Sequence, residues 1–159
     1  MNAPGPAAAT GSSTKVLAIA SANTWVHVFP DHQRLIDCQD INLAQPGPLD
    51  YFDLSGRRLA PVLNSAGKLV GLRLTSDPAD VVMVRARLSA VVKHVRDEIA
   101  QRLAEMEDPP GTEQEAMAQL PDLEGLSLSV CYDRLAAPFG DGNGLPETPG
   151  SFWHRFWCH

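Results

Sequence analysis

The sequence predicts an α+β domain, a mainly antiparallel β-meander of five or six strands packed against one long amphipathic helix, with flexible termini. Three observations predict it. Between residues 15 and 74, short β-branched and apolar runs are punctuated by Gly, Pro, Asn and Asp. From Val81 to Met106 a single apolar stripe recurs at steps of three and four. Residues 1–14 are almost wholly Ala, Pro, Gly, Ser and Thr, and residues 138–150 hold three prolines and four glycines.

The strands follow in order. Residues 1–14 bury nothing and read as a disordered N-terminal arm. Lys15–Ala20 and Thr24–Phe29 are β-rich and joined by Ser21-Ala22-Asn23, which suits a hairpin. In the second run Val26 and Val28 share one face while Trp25, His27 and Phe29 share the other, so both faces want cover. Arg34–Leu43 fits either a third strand or one helical turn. Tyr51–Leu54, Leu59–Leu63 and Lys68–Leu74 then read as an antiparallel meander separated by Ser55-Gly56 and Asn64-Ser65-Ala66-Gly67.

The helix is the clearest element. Ser76-Asp77 before Pro78 offers an N-cap followed by proline at the first helical position. Val81, Val84, Leu88, Val91, Val95, Ile99, Leu103 and Met106 then form one stripe, ended by Pro109-Pro110-Gly111. A strict heptad through Val95 would need apolar side chains at positions 98 and 102, where Glu98 and Arg102 stand. The stripe moves to Ile99 and Leu103 instead, the period of a helix on its own sheet. The domain is therefore drawn over residues 15–106. An acidic linker follows over 107–122, then a segment over 123–137 with a strand at Leu126–Val130, a Pro/Gly linker over 138–150, and a tail over 151–159.

Charge and motifs narrow the function. The net charge is −6, and residues 107–159 hold nine acidic side chains against Arg134 and Arg155 alone. No concentrated basic face appears, which disfavours nucleic acid. No apolar run approaches the ~20 residues of a membrane-spanning helix. The first residues lack the basic and apolar regions of a secretion signal, and three cysteines do not make a disulfide framework, so a cytoplasmic protein is expected.

G-x-x-x-x-G-K-S/T, G-x-G-x-x-G, G-x-S-x-G and C-x-x-C are all absent. Gly140–Gly144 opens like a calcium loop, but Leu145 and Phe152 stand where later ligands belong. Leu145-Pro146-Glu147-Thr148 resembles the start of a sortase sorting signal, yet proline follows the threonine and no basic membrane anchor comes after it.

Three dispersed groups carry polar chemistry. Cys38 with His27 or His32 would make a nucleophile and base, though a cysteine in a half-buried run is usually core. Asp37, Asp40, Asp50 and Asp53 would make a carboxylate cluster, though aspartates at turns are commoner. His94 lies beside the helical stripe and reads as a partly exposed histidine. No cofactor is expected.

The tail differs in kind. Ser151, Phe152, Trp153, His154, Arg155, Phe156, Trp157, Cys158 and His159 hold four of the chain's ten aromatic residues. Burying four rings is worth roughly 15–25 kcal/mol gross, against roughly 10–20 kcal/mol to order nine residues. Docked, the balance is favourable; in water nothing offsets the rings.

Four fates are open to it. It completes its own sheet, or it docks on a protein partner with Trp153 and Trp157 as i,i+4 anchors. It is the core of a ribosomally synthesised, post-translationally modified peptide, in which a modifying enzyme cross-links Ser151 and Cys158. Or it captures a metal through His154, Cys158 and His159, a weak site without supporting ligands. The expectation is a non-enzymatic accessory or adaptor protein. A peptide precursor is the alternative, and a small enzyme without a recognisable motif comes third.

Overall fold

The computed structural model describes residues 15–38, 48–109, 111–118 and 120–139. The N-terminal arm, the residues of the Pro/Gly linker after Phe139 and the whole aromatic tail lie outside the described residues.

Five strands make one antiparallel sheet: β1 Val16–Ala20, β2 Val26–Phe29, β3 Leu49–Phe52, β4 Arg58–Leu63 and β5 Leu69–Leu74. Their order is β2-β1-β3-β4-β5. The last three strands form the expected meander, but β3 lies against β1, with Leu17 opposite Phe52 and Ile19 opposite Asp50. The connection from β2 to β3 therefore crosses over β1, and it carries helix α1, His32–Cys38. Over its described part, Arg34 to Cys38, the stretch read as strand or helical turn is therefore helical, and residues 39–43 lie outside the described residues. The first turn of α1 is capped by Asp31, whose carboxylate accepts from the Arg34 amide at 2.7 Å.

Burial follows from cover on both faces. Every residue of β1 and β2 is buried. On one face Leu17, Ile19, Val26, Val28 and Phe52 meet the helices. On the other, Val16, Ala18, Phe29, Leu59 and Leu69 close around Leu35 of α1. Because α1 packs against both β2 and β5, the two edge strands, the sheet curls around it.

Helix α2 spans Val81–Glu105, and its buried residues include Val84, Leu88, Val91, Val95, Ile99 and Leu103, the stripe read from the sequence. Its start differs from expectation. Asp80, not Ser76 or Asp77, is the N-cap, accepting from the Met83 amide at 3.0 Å. The Asp80 amide also donates to the Gly56 carbonyl at 3.0 Å, so the β3–β4 turn holds the helix at its first residue. A side chain at Gly56 would lie 2.8 Å from the Val81 nitrogen, and its φ is +86°.

Two stretches differ more. The acidic linker contains helix α3, Glu113–Ala118, opened by a capping box in which the Glu115 amide donates to Thr112 Oγ1 and the Thr112 amide to Glu115 Oε1. Ala116 and Leu120 are buried in the main core. The strand expected at Leu126–Val130 is instead the start of helix α4, Leu128–Phe139. Leu128, Cys131, Leu135 and Phe139 recur at helical spacing and are buried, and Ser127 caps the first turn through Val130. The two-residue alternation through Leu126, Leu128 and Val130 was too short to outweigh that stripe. The core therefore runs to Phe139 rather than ending at residue 106.

Candidate functional site

The residues that the sequence singles out most strongly, Ser151 to His159, lie outside the described residues. What is described is the place from which that segment departs. Phe139, the last described residue, is buried and meets Trp25 edge to face, with ring centroids 4.8 Å apart. Helix α4 packs on β2, so the chain beyond Phe139 begins beside that edge strand. The eleven residues 140–150 can span at most about 36–40 Å when extended. That reach exceeds the roughly 19 Å of four strand spacings across the sheet.

His27 sits next to this anchor. It is fully buried on β2, between Trp25 and Phe29, with ring centroids 6.4 and 6.2 Å away. Neither ring nitrogen has a hydrogen-bond partner among the described residues. Burial alone drives its pKa down from 6.5 to about 4, so the imidazole is neutral near pH 7. A general base needs a proton to accept within reach, and among the described residues His27 has no such partner; the Cys38 side chain lies outside them. His94 behaves as expected, half-exposed and 3.3 Å from Glu98 one turn along α2.

The three described aspartates, Asp37, Asp50 and Asp53, do not converge. Asp53 Oδ1 accepts from the Ser55 and Arg57 amides in the β3–β4 turn. Asp37 accepts from Gln33 at 2.8 Å, and Asp40 lies outside the described residues. Asp50 is the centre of a lock. Arg58 reaches one of its oxygens at 2.8 Å, and Arg87 reaches the other at 3.0 Å, where Ser21 Oγ also donates at 3.2 Å.

Arg87 further donates to Asn23 Oδ1 at 2.7 Å and to the Ala20 carbonyl at 3.1 Å, and its guanidinium lies 5.6 Å from the Phe52 ring centre. This arginine thus ties α2 to the β1–β2 turn and to β3. Asn23 adopts the left-handed conformation, φ 58°, that presents its side chain there.

The remaining groups are structural as well. Cys131 is buried in the main core, and burial raises its thiol pKa, which keeps it protonated. Among the described residues no group of three or more His, Cys, Asp or Glu could hold a metal ion. The metal candidates His154, Cys158 and His159 fall outside them. An open cleft of about 330 Å³ beside α2 is lined by Ser89, Lys93, Arg96 and Asp122, with Lys93 already engaged by Asp97 at 3.5 Å. No helix among the described residues is long and apolar enough to cross a membrane.

The surface departs from the ordinary at the β4–β5 hairpin. Leu63 and Leu74 are each 56% exposed, Val70 is 50% exposed, and Val62 borders them. In β5 Val70, Leu72 and Leu74 alternate with Leu69, Gly71 and Arg73, the two-residue period expected of a half-buried strand. Among the described residues α2, α3 and α4 pack over the β1–β2 side of the sheet, while α1 covers only Leu59, Leu69 and Leu72 of the hairpin.

Comparison of the chain with protein families, curated proteins and solved structures returns no match.

Proposed function

We propose that this chain is a non-enzymatic accessory or adaptor protein of the cytoplasm, a folded mount for the C-terminal segment that docks on a protein partner. The observation that carries this reading is the pairing of an aromatic segment with a firm anchor. Four rings lie within nine residues, eleven residues after Phe139, and Phe139 is packed into the core against Trp25. An anchored mount with a short reach raises the effective concentration of the segment at any partner the body also touches. Trp153 and Trp157, at i,i+4, fall on one face if the segment becomes helical in a groove. The polar groups of the body support the reading too, since Asp50 is engaged by Arg58 and Arg87 while His27 and Cys131 are buried.

Affinity capture from the native host tests this, comparing the full chain, a chain ending at Gly150 and the double variant Trp153→Ala, Trp157→Ala. Each aromatic anchor is expected to contribute about 2 kcal/mol, so losing both weakens capture on the order of 1,000-fold. Identical partners for all three proteins would overturn it. Mass spectrometry of the same material separates the alternative: cleavage near Gly150, or a mass change confined to residues 151–159, identifies a peptide precursor.

A further inference from the structure

We propose that the outer edge of β5 receives a strand from a partner protein whose sequence alternates apolar and acidic residues.

The sheet has two edges, and they are treated differently. At β2 all four residues are buried and α4 packs on the strand. At β5 Val70 and Leu74 stand open, and among the described residues no strand pairs with its outer side. Arg73 and the register shift at Val62/Leu63 are the usual means of blunting an edge, but Leu72–Leu74 keep a regular register with β4, and Arg73 and Leu74 are exposed.

Proline shows which backbone groups point outward. Pro61 lies opposite Leu72. A hydrogen-bonded antiparallel pair exchanges two N–H···O bonds, and Pro61 has no N–H to give. Pro61–Leu72 is therefore a non-hydrogen-bonded pair, and the N–H and C=O of Leu72 face away from β4. The pattern alternates, so the groups of Leu74 face outward as well. The Thr75 amide donates to the Arg58 carbonyl at 3.2 Å, in phase with this assignment. Two sets of donors and acceptors, two residues apart, are the template for an added strand.

The side chains then set the occupant's chemistry. Leu72 packs toward the α1 core, and Leu74 lies on the same face opposite Leu59. Arg73 lies on the other face, opposite Ala60. Residues of an incoming strand beside Leu72 and Leu74 meet apolar surface, and the intervening ones meet Arg73. Residues 54–76 carry Arg57, Arg58, Lys68 and Arg73 with no acidic residue, in a chain of net charge −6. Asp50 already holds Arg58, whereas Arg73 is exposed.

A second copy of this chain would bring the same basic hairpin against this one. A membrane surface would leave the outward amides of Leu72 and Leu74 unpaired. An acidic, alternating strand satisfies both the charges and the backbone.

The probe is a fluorescein-labelled peptide of repeating Val-Glu, with a repeating Val-Lys peptide as control, titrated with the full chain by fluorescence polarisation. Saturable binding of the Glu peptide, about tenfold or more tighter than the Lys peptide, is expected. Arg73→Glu should abolish or invert that preference. Leu74→Pro removes an outward N–H without touching the β4 ladder, and should weaken binding of the Glu peptide about tenfold. Circular dichroism confirms that each variant is folded; if Leu74→Pro is not, Arg73→Glu decides alone. No binding, equal binding of the two peptides, or folded variants that bind like the parent would each overturn the proposal. So would a dimer of the chain that Leu74→Pro converts to monomer. Trp153→Ala with Trp157→Ala should leave peptide binding unchanged, so this proposal and the tail reading fail separately.

Discussion

Replacing His27 with leucine should remove a distinct part of the acid sensitivity of the fold between pH 6.5 and about pH 4. The imidazole is fully buried, with no partner at either nitrogen among the described residues, and its pKa falls from 6.5 to about 4. The unfolded chain binds a proton at His27 readily below pH 6.5, and the folded chain does so only near pH 4. Protonation therefore favours unfolding. Stability is undiminished above pH 6.5, declines by about 1.4 kcal/mol per pH unit below it, and levels off below pH 4.

At pH 5 the loss from this one group is about 2 kcal/mol, and the full loss is on the order of 3 kcal/mol. That is a large part of the 5–15 kcal/mol typical of a domain. In His27→Leu the wall formed by Trp25 and Phe29 meets an apolar side chain and nothing titrates. Near pH 7.5 the substitution should be close to neutral, within about 1 kcal/mol, because no hydrogen bond is lost.

Urea unfolding of both proteins, followed by far-ultraviolet circular dichroism at pH 7.5 and pH 5, measures the difference. Carboxylates contribute equally to both, so subtracting the two pH dependences isolates His27. Parallel pH dependences for parent and variant would refute the reasoning.

Two further substitutions probe the joints that orient α2. Gly56→Ala places a Cβ 2.8 Å from the Val81 nitrogen at a left-handed backbone position, and should cost about 2–4 kcal/mol in urea-derived stability. A change below about 1 kcal/mol would mean that the turn and the helix start do not touch this closely. Arg87→Met keeps much of the side chain's length but removes the donors to Asp50, Asn23 and the Ala20 carbonyl. It should lower the urea midpoint by the equivalent of about 1–3 kcal/mol without changing the m-value, and a second variant, Asp50→Asn, should then cost less in its presence than alone.

Several elements were legible because their signals are local. The α2 stripe needs only the 3.6-residue period, and the same six apolar positions from Val84 to Leu103 are buried. The β1–β2 hairpin and the β4–β5 hairpin are marked by Asn23 and by Asn64 to Gly67, residues whose turn conformations are intrinsic. Where signals competed, the shorter one misled. Leu126, Leu128 and Val130 alternate like a strand, while Leu128, Cys131, Leu135 and Phe139 repeat like a helix over a longer span. The N-cap was misplaced because Ser76, Asp77 and Asp80 are all acceptable caps. Only contact with Gly56 selects Asp80.

The candidate sites divide in the same way. The aromatic segment is a property of composition and could be read directly, as could the absence of catalytic motifs. The state of His27 could not: a histidine between Val26 and Val28 is compatible with an exposed or a sealed ring, and only the folded core, with the Trp25 and Phe29 rings beside it, leaves it fully buried. Asp50 likewise looked like one of four interchangeable turn aspartates until Arg58 and Arg87, from β4 and α2, closed on it.

By itself the sequence determined the α+β class, the long helix and its buried face, the positions of the hairpins and the uneven placement of charge and aromatic rings. Periodicity and turn chemistry act between residues a few positions apart, so a linear chain already contains them. Tertiary structure alone decided that β3 pairs with β1, that α3 and α4 belong to the core, and which groups lose water. It also decided that Val70 and Leu74 of β5 stay exposed while every residue of β2 is buried. Those outcomes depend on residues distant in sequence competing for the same surface, and that competition is settled only once the chain has folded.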